Sequence, residues 1–451
     1  MAFSDLRAFL RVLRERGEMV DITEEVDPRH EIAAYIRKTS DIQGPALFFA
    51  NVRGHSMPVV GGVFSTRQRA LLALEVDNSL ALAKFTHALQ HPIPTAPVEE
   101  GVCQEVVYVG DQVDLGNLPI PTQGRLDPGP YILAGIQISQ DPDTGSRNAS
   151  IYRMEVKGRN RLALSAHAFQ DISVQFSRAE SRGQPLEVAV AIGVDPVISL
   201  ATQAKVPYGY DELALAGGLR GEAVQVVRCR TVDLWVPATS EIVIEGRVLP
   251  GIREIEGPFG EFGGYYGPTE NDPIMEVTAV THRHDAFFQT VLTGIPITEN
   301  HVMKELPYEA ALFADLKRVF PNVCNVHYAP AGGAQHLAIV ALDQKYKGEA
   351  RNVILAALGH HSRPKYVFLV DEDVDIYDMN KVVWAMVFRS QPDRDVIIIP
   401  RVAGGPRDPS TLEPDVTAVM GFDATEPIGE NFPPFFDIPG VAEIKIPGWT
   451  D

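Results

Sequence analysis

Short β-type segments follow one another through the middle of the chain. Runs such as EVVYVG, SIYRMEVKG, LEVAVAIGV, EIVIEGRVL and IMEVTAVTHR are separated by turns rich in Gly, Pro and Asp. Many short strands at regular spacing are typical of a barrel or a sandwich. One segment, DELALAGGLRG, interrupts the series and is predicted to be a short helix. The central part of the chain is therefore expected to be a closed or strongly curled β-structure.

The regions on either side of these strands mix helices and strands. Near the N-terminus Leu6, Phe9, Leu10 and Leu13 recur at helical spacing, and Gly17 is placed to end that helix. The C-terminal third alternates strand and helix, and its tail from about 403 is expected to wrap over another surface. A chain of 451 residues is too long for one core. We predict an α+β multidomain fold with an N-terminal α+β domain (1–105), a central barrel (106–300), a connecting helix (301–320) and a C-terminal α/β domain with the tail (321–451).

Charge and cysteine content exclude several classes of protein. The formal net charge of -19 argues against non-specific binding to nucleic acid or to an anionic membrane surface. Three widely separated cysteines without a CxxC pair argue against a disulfide framework and a cysteine-based zinc site. We find no apolar signal region and no stretch long enough to span a membrane. The expected location is the cytoplasm.

The densest chemical signal is the segment EGPFGEFGGYYG, in which Glu256 and Glu261 lie on either side of a Gly-Pro turn. Glycines allow unusual backbone angles and close approach to a ligand. Two carboxylates held together in an apolar loop cannot both ionise easily, so one of them is expected to deliver a proton near neutral pH. The alternative is a Gly-rich surface hairpin with solvated glutamates.

An isolated cation, Arg153, lies in the β-type run RNASIYRMEV together with Asn148. On one continuous strand their odd separation would place the two side chains on opposite faces. A buried arginine needs an anionic partner, and Glu256 or Glu261 could supply it. An ordinary surface arginine is the alternative.

Asn148 could also bind a hard divalent cation together with His167 and Glu212. His167 ends an apolar run and Glu212 lies at a predicted helix start. The alternatives are a hydrogen-bonded structural histidine and a glutamate that favours a helix N-terminus. The spacing of the three residues does not itself form a motif.

The local sequence leaves the roles of two further residues undecided. His301 follows a Gly-Ile-Pro turn, so it could reach a pocket or cap the next helix. Lys365 precedes the strand YVFLV and the acidic run DEDVDIYD, which lacks the glycine of a calcium loop and is expected to be a solvated connection.

Six segments in this order resemble the UbiD family of decarboxylases, and nearly the whole chain fits. They are NASIYR, PYGYDELALAGGLRGE, VDLWVPATSEIVIEG, EGPFGEFGGYY, VDEDVDIYD and MGFDATEP. The resemblance implies a central split β-barrel similar to flavin reductases and a C-terminal α/β domain used for oligomerisation, as a homodimer or a homohexamer. It also implies prenylated FMN, supplied by a flavin prenyltransferase, with Mn²⁺ or Mg²⁺ and K⁺.

The resemblance further assigns roles residue by residue. By the family pattern Asn148, His167 and Glu212 are the divalent-metal ligands; the backbone near Ala201, Thr202 and Ala204, with Glu212, holds K⁺; Lys365 contacts the cofactor phosphate; Arg153 binds the cofactor and forms the catalytic set with Glu256 and Glu261. One departure is Ala168-Phe169 after the metal histidine, where the family often has Arg-Gly.

The implied reaction is the reversible, non-oxidative decarboxylation of an aromatic, heteroaromatic or α,β-unsaturated acid, with a covalent prenylated-flavin adduct as electron sink. Arg153 would orient the carboxylate, Glu261 would protonate the carbon, and Glu256 would tune both. His301 resembles a pocket histidine of members acting on furan or hydroxylated aromatic acids. Furan-dicarboxylate members also use a nearby arginine, where this chain has Lys304 or Glu309, and this favours a monoacid.

Two other functions are compatible with the same pattern. A flavin-binding oxidoreductase on a similar barrel would not need the Glu-Arg-Glu set and should bleach with NAD(P)H. A non-catalytic paralogue could keep the fold alone, although the presence of Arg153, Glu256 and Glu261 together disfavours it.

Overall fold

The computed structural model of the chain describes residues 3–165, 167, 170–404, 407–413, 416–429, 431–436, 438–439 and 444. The helices in these residues are α1 (Leu6–Glu15), α2 (Glu31–Asp41), α3 (Arg67–Ala73), α4 (Asn78–Gln90), α5 (Asp171–Glu180), α6 (Pro196–Ala201), α7 (Glu212–Arg220), α8 (Glu299–Val319), α9 (Glu349–Leu358), α10 (Met379–Phe388) and α11 (Pro392–Asp395). The strands are β1 (Met19–Val26), β2 (Ala46–Val52), β3 (Val59–Gly61), β4 (Ala96–Val98), β5 (Val106–Val109), β6 (Tyr131–Ile132), β7 (Ile136–Gln140), β8 (Arg147–Ile151), β9 (Met154–Gly158), β10 (Arg161–Leu164), β11 (Leu186–Ile192), β12 (Gln225–Arg228), β13 (Trp235–Pro237), β14 (Ile242–Glu256), β15 (Glu270–His282), β16 (Phe288–Gln289), β17 (Val323–Tyr328), β18 (Leu337–Leu342), β19 (Tyr366–Asp371), β20 (Val396–Ala403) and β21 (Val416–Ala424).

The predicted N-terminal helix is confirmed as α1. Its four apolar residues at helical spacing are all buried. Asp5 caps the helix, because its carboxylate accepts a hydrogen bond from the backbone N–H of Ala8 at 2.8 Å. Gly17 follows the helix with φ of +71°, a left-handed conformation that suits glycine.

The N-terminal sheet takes one strand from a distant part of the chain. Its order is β1-β2-β3-β16, and β16 pairs in parallel with β3 after the chain has passed through the whole central sheet. The segment that follows the central sheet in sequence is therefore held in the N-terminal sheet by backbone hydrogen bonds. Helix α3 begins at Arg67, and Thr66 caps it because its hydroxyl accepts a hydrogen bond from the Arg69 N–H.

The central sheet has nine strands and carries the candidate site. Its order is β6-β9-β10-β15-β14-β11-β7-β8, with β5 paired to β15. Strand β11 is buried along almost its whole length, because α5 packs on one face of this sheet while α7 and the N-terminal helices pack on the other. Strands β14 and β15 form the longest antiparallel pair, and the EGPFGEFGGYYG segment is the loop that joins them. The predicted helix in DELALAGGLRG is confirmed as α7.

Two corrections concern the local structure of these β-runs. The segment RNASIYRMEV is not one strand, because β8 ends at Ile151 and β9 begins at Met154. Arg153 lies between the two strands, so strict alternation of faces from Asn148 to Arg153 does not apply. A small sheet outside the barrel, β13-β12-β4, contains residues that were expected to continue the barrel.

The C-terminal unit is a five-stranded sheet of order β17-β18-β19-β21-β20. Helix α9 packs on one face and α10 on the other. The prediction that the chain beyond about 403 only wraps over another surface is wrong, since β21 lies between β19 and β20. The Gly, Pro and Asp residues that precede β21 are typical of turns, and for this reason the sequence did not predict an interior strand after them.

Helix α8 connects the barrel to the C-terminal sheet and begins at Glu299, before the predicted start at 301. Its first half contributes Val302, Met303 and Leu306 to the core shared with the N-terminal helices. Its second half contributes Leu312 and Leu316 to the core under the C-terminal sheet. Among the described residues, no helix is both long and apolar enough to cross a membrane.

Candidate active site

Arg153 is positioned where the backbone leaves the central sheet. The buried side chain of Gln137 replaces a strand partner for Tyr152: its Nε2 donates to the Tyr152 carbonyl at 2.7 Å, and its Oε1 accepts from the Tyr152 N–H at 2.7 Å. The backbone polar groups are thus satisfied without a ladder, as burial requires. The next residue, Arg153, is free to extend toward the loop between β14 and β15.

The structure brings Arg153 together with both glutamates of that loop. Its Nε and Nη2 donate to the two carboxylate oxygens of Glu256, each at 2.8 Å, and its Nη1 donates to Glu261. Burial lowers the pKa of Arg153, but the hydrogen bonds and charges of Glu256 and Glu261 outweigh it, and the pKa is raised. Its guanidinium carbon also lies 5.0 Å from the ring centroid of Phe259. Arg153 is therefore a fixed cation at physiological pH.

Glu256 and Glu261 occupy different environments. Glu256 ends β14 and is fully buried, whereas the side chain of Glu261 is 14% exposed. Behind Glu256 lie Tyr131, whose pKa is raised by burial and by this carboxylate, and Asp272, whose pKa rises to about 6 for the same two reasons. Glu256 thus belongs to a buried acidic network, and only Glu261 faces the cavity described below.

The loop that carries Glu261 is a tight turn. The Glu261 N–H donates to the Tyr265 carbonyl at 2.8 Å, and the Gly264 N–H donates to the Glu261 carbonyl at 2.9 Å. Gly264 has φ of +86°, which favours glycine over other residues. A Cβ added at Gly267 would lie 2.9 Å from Glu261 Oε1, so the carboxylate requires the close backbone approach that glycine allows.

A second arginine at Glu261 was missed by the sequence interpretation. Arg407 comes from the segment between β20 and β21, and its Nε lies 3.2 Å from Glu261 Oε1. Its Nη2 donates to Glu270 at 2.8 Å, and its side chain is only 7% exposed. No local pattern around Arg407 signals this contact, because it depends on how the C-terminal unit packs against the barrel.

A cavity of about 140 Å³ opens beside this cluster. Arg153 and Glu261 line one side, the aromatic residues Tyr152, Phe259 and Phe262 form walls, and Lys304 lies among the residues that complete it. Nζ of Lys304 donates to Asn300 Oδ1 at 3.0 Å and lies 4.9 Å from the Phe262 ring centroid. Burial lowers the pKa of Lys304. The cavity thus combines aromatic walls with the side chains of Arg153, Lys304 and Glu261.

Two of the three predicted metal ligands lie next to each other. Asn148 is on β8, and the N–H of the following residue, Ala149, donates to Glu212 Oε2 at 2.9 Å. Both side chains are buried, and burial raises the pKa of Glu212 to about 8. Within the described residues the Asn148 amide nitrogen has no hydrogen-bond partner. The Glu212 carboxylate and the amide oxygen of Asn148 are oxygen donors of the kind that a hard cation prefers.

His167, the third predicted ligand, lies at the cavity. Its backbone N–H donates a hydrogen bond to Gln170 Oε1 at 2.6 Å. The pKa of the imidazole is lowered by burial and then by the charge of Arg407, with Glu270 and Glu261 opposing. The ring is therefore close to the Glu261 side of the cavity, and its coordination of metal stays a prediction. Ala168 and Phe169, which depart from the family pattern, lie outside the described residues.

The remaining predicted cofactor residues are placed as follows. Ala201 ends α6, and the carbonyl of the next residue, Thr202, accepts a bond from Ser150 Oγ at 3.4 Å, which brings the predicted K⁺ backbone close to β8. Lys365 precedes β19, and its Nζ donates to Asp408 at 2.8 Å and to Ser410 at 2.6 Å. Its contact with a cofactor phosphate stays a prediction.

His301 occupies the capping position that was one of its two predicted alternatives. Its Nδ1 accepts a bond from the Thr298 N–H at 3.0 Å, and its Nε2–H donates to the Phe262 carbonyl at 2.7 Å. Burial lowers its pKa to about 4, so the ring is neutral near pH 7. Both nitrogens bind protein groups, and the ring holds the Glu261 loop against α8. A direct contact with substrate stays a prediction.

Three family models match the chain in succession. They are the N-terminal, Rift-related and C-terminal domains of 3-octaprenyl-4-hydroxybenzoate carboxy-lyase, over residues 10–89, 96–296 and 301–424. The chain belongs to the UbiD family. It is accordingly an enzyme of the carboxy-lyase class, as the six sequence segments predicted.

Relatives of this UbiD-family chain extend over nearly its whole length. Anhydromevalonate phosphate decarboxylase from Methanothermobacter thermautotrophicus is 34% identical over 94% of this chain and 97% of its own. The UbiD-class enzyme HmfF from Pelotomaculum thermopropionicum, solved in complex with FMN, is 40% identical with a TM-score of 0.92, covering 98% of this chain and 99% of that chain. Vanillic acid decarboxylase from Sedimentibacter hydroxybenzoicus is 31% identical with a TM-score of 0.89, covering 98% of each chain. The mixed α+β multidomain fold with a curled central sheet is thus that of UbiD structures.

Proposed function

We propose that this UbiD-family enzyme catalyses the reversible, non-oxidative decarboxylation of an aromatic, heteroaromatic or α,β-unsaturated carboxylic acid. The observation that carries the proposal is the position of Arg153 between Glu256 and Glu261 at the edge of an aromatic-walled cavity. A plain flavin oxidoreductase would have no use for two carboxylates and a guanidinium arranged in this way.

Each member of the set has a distinct task in this proposal. Glu256 is buried and holds Arg153 through two parallel bonds, so it positions the guanidinium. Three N–H groups of Arg153 bond Glu256 and Glu261. The remaining N–H groups orient the substrate carboxylate. Glu261 faces the cavity and delivers a proton to the carbon after CO₂ departs. The apolar walls favour neutral CO₂ over the charged carboxylate.

The cofactor in this proposal is prenylated FMN, a choice supported by the FMN and prFMN complexes of HmfF. When bound, it would supply the electron sink that no side chain offers. Asn148, Glu212 and His167 would hold Mn²⁺ or Mg²⁺, and the backbone near Ala201 and Thr202 would hold K⁺. This assignment is supported by the neighbouring, buried side chains of Asn148 and Glu212, which both offer oxygen ligands.

Lys365 and Arg153 would complete the contacts to the cofactor. Lys365 would reach the phosphate from the C-terminal unit after exchanging its bond to Asp408. A flavin prenyltransferase would supply the cofactor. Assembly as a homodimer or a homohexamer is part of the same proposal, and light scattering on the purified protein tests it.

The first experiment is mass spectrometry of the flavin released from protein co-expressed with a flavin prenyltransferase. We expect an FMN-derived mass that carries the added prenyl unit. The same preparation is then given a panel of aromatic and unsaturated acids, and CO₂ release is measured. Flavin bleaching by NAD(P)H without CO₂ release would instead favour an oxidoreductase, and neither signal would favour a non-catalytic paralogue.

Variants separate the roles within the set. Glu261→Gln should lower kcat about 100-fold or more, because proton delivery is lost, while flavin content is retained. Glu254→Gln is the matched control, since Glu254 lies on the same β14 strand but pairs with Arg161 at the surface. Equal activity of the two variants would contradict the role of Glu261. Unchanged turnover in His301→Ala would remove His301 from the substrate site.

A further inference from the structure

Three side chains that commonly bind metal ions meet outside the cavity. Asp315 lies in the second half of α8, and His360 and His361 follow the end of α9. One ligand atom from each lies within 4.8 Å of the others. His360 Nε2 is 3.2 Å from Asp315 Oδ2, and the two imidazole centroids are 4.1 Å apart. The arrangement joins two nitrogen donors and one carboxylate.

The orientation of His360 is fixed by buried partners on its other side. Its Nδ1 lies 2.6 Å from Ser362 Oγ, and that hydroxyl lies 2.5 Å from the Tyr328 hydroxyl. Ser362 and Tyr328 are both buried. Nδ1 also accepts a hydrogen bond from the Ser362 backbone N–H at 3.2 Å, so Nδ1 carries the lone pair and Nε2–H donates to Asp315. These contacts fix the plane of the ring, as hydrogen-bonded partners do for the histidines of metal sites.

His361 is held from a different part of the chain. Its ring hydrogen-bonds the backbone carbonyl of Lys205, in the loop between α6 and α7. The ammonium of Lys205 lies 5.1 Å from the Tyr308 ring centroid. The positive charge of Lys205 disfavours a metal cation at His361, and the negative charge of the Asp315 carboxylate offsets this effect. His361 therefore has one ring nitrogen held by the Lys205 carbonyl and one that can face a ligand. A metal ion at His360 Nε2 would replace the proton that this nitrogen donates to Asp315.

We propose that Asp315, His360 and His361 form a binding site for a borderline divalent cation such as Zn²⁺. Two imidazole nitrogens and one carboxylate oxygen are a donor set that Zn²⁺ accepts, with water completing the coordination. A simple Asp–His hydrogen bond would need neither the third ligand nor the anchors on both rings. This site is separate from the predicted Mn²⁺ or Mg²⁺ site of Asn148, His167 and Glu212.

The site would cross-link three parts of the fold. It joins α8 to the end of α9, and through the Lys205 carbonyl it reaches the loop that follows the predicted K⁺ backbone. A metal ion that binds the folded protein but not the unfolded chain stabilises the folded protein by mass action. We therefore assign it a structural role between the barrel and the C-terminal unit.

The test is a Zn²⁺ titration of the full-length protein after removal of metals with a chelator. Wild type is compared with Asp315→Asn and His361→Ala, which change partly exposed side chains, and with His284→Ala as an exposed-histidine control. We expect both site variants to bind about one equivalent less Zn²⁺ than wild type and the control. Co²⁺ added to wild type should give a visible absorption band that both site variants lack.

These measurements test the Zn²⁺ site separately from the proposed enzymatic function, because they depend neither on the flavin nor on decarboxylation. Zn²⁺ should also raise the melting temperature of wild type and of His284→Ala, but not of Asp315→Asn. The same stoichiometry and the same Co²⁺ spectrum in all four proteins would overturn the proposal. Loss of Zn²⁺ binding from the control as well would overturn it too, since the histidines would not be distinguished.

Discussion

Arg67 links the N-terminal unit to helix α8, and its removal should destabilise the protein strongly. Its guanidinium donates to Glu309 through Nη1 at 3.0 Å and Nη2 at 2.8 Å, and to Glu305 at 2.9 Å. Glu309 is fully buried and Glu305 is 2% exposed. Arg67→Met would take the cationic partner away from two buried acidic side chains, of which Glu309 is ionised and Glu305 has a pKa that burial raises to about 8. Breaking a buried ion pair in this way costs about 3–5 kcal/mol of unfolding free energy.

The matched control is Arg53→Met. Arg53 also bonds two carboxylates, Glu25 and Asp27, but its side chain is 57% exposed, so water replaces the lost contacts. Removing every ionisable side chain of this group, with Glu305→Gln and Glu309→Gln added to Arg67→Met, should restore part of the stability. The cost of the single change comes mainly from the carboxylates that it leaves unpaired.

The pH dependence has a defined sign. Burial raises the pKa of Glu309, but Arg67 and His327 outweigh it and lower the pKa to about 2. The carboxylate therefore adds stability that is complete above about pH 4.5, its ordinary value, and is lost as the pH falls toward 2. Arg67→Met should show a weaker loss of stability than wild type between these pH values.

The assay is urea unfolding followed by both tryptophan fluorescence and circular dichroism. Free energies are compared where the two signals give the same transition, as two-state unfolding requires. The reasoning is refuted if Arg67→Met shifts the midpoint no more than Arg53→Met. It is also refuted if the triple variant is less stable than Arg67→Met alone.

Three further outcomes are expected. Arg407→Gln should lower kcat for CO₂ release roughly 10- to 100-fold through misplacement of the proton donor, with Arg407→Lys recovering part of it and KM changing less, as steady-state kinetics would show. Glu212→Gln should weaken Mn²⁺ binding, measured by calorimetry, by more than the roughly 10- to 100-fold that an outer-shell change costs. Gly217→Ala should lower the unfolding free energy by about 1–3 kcal/mol, because the added Cβ would lie 2.5 Å from the Ile93 carbonyl oxygen. Gly263→Ala is the control in the same urea assay and should have little effect, since its Cβ meets nothing within 4 Å.

The sequence by itself determined the local structure wherever one face of an element is buried. Helix α1 follows from the spacing of its apolar residues, because burial of one stripe of side chains fixes a 3.6-residue period. The family and its carboxy-lyase chemistry also followed from the sequence, since the six segments carry residue types in a fixed order.

Only the tertiary structure decided which distant side chains meet. Arg407 approaches Glu261 from beyond β20, His301 uses both nitrogens to hold the Glu261 loop, and Asp315 meets the two histidines after α9. Strand β21 was missed because turn residues precede it, and its place between β19 and β20 depends on pairing with strands far away in sequence. Periodicity reports which face of an element is buried; it contains no information on what that face packs against.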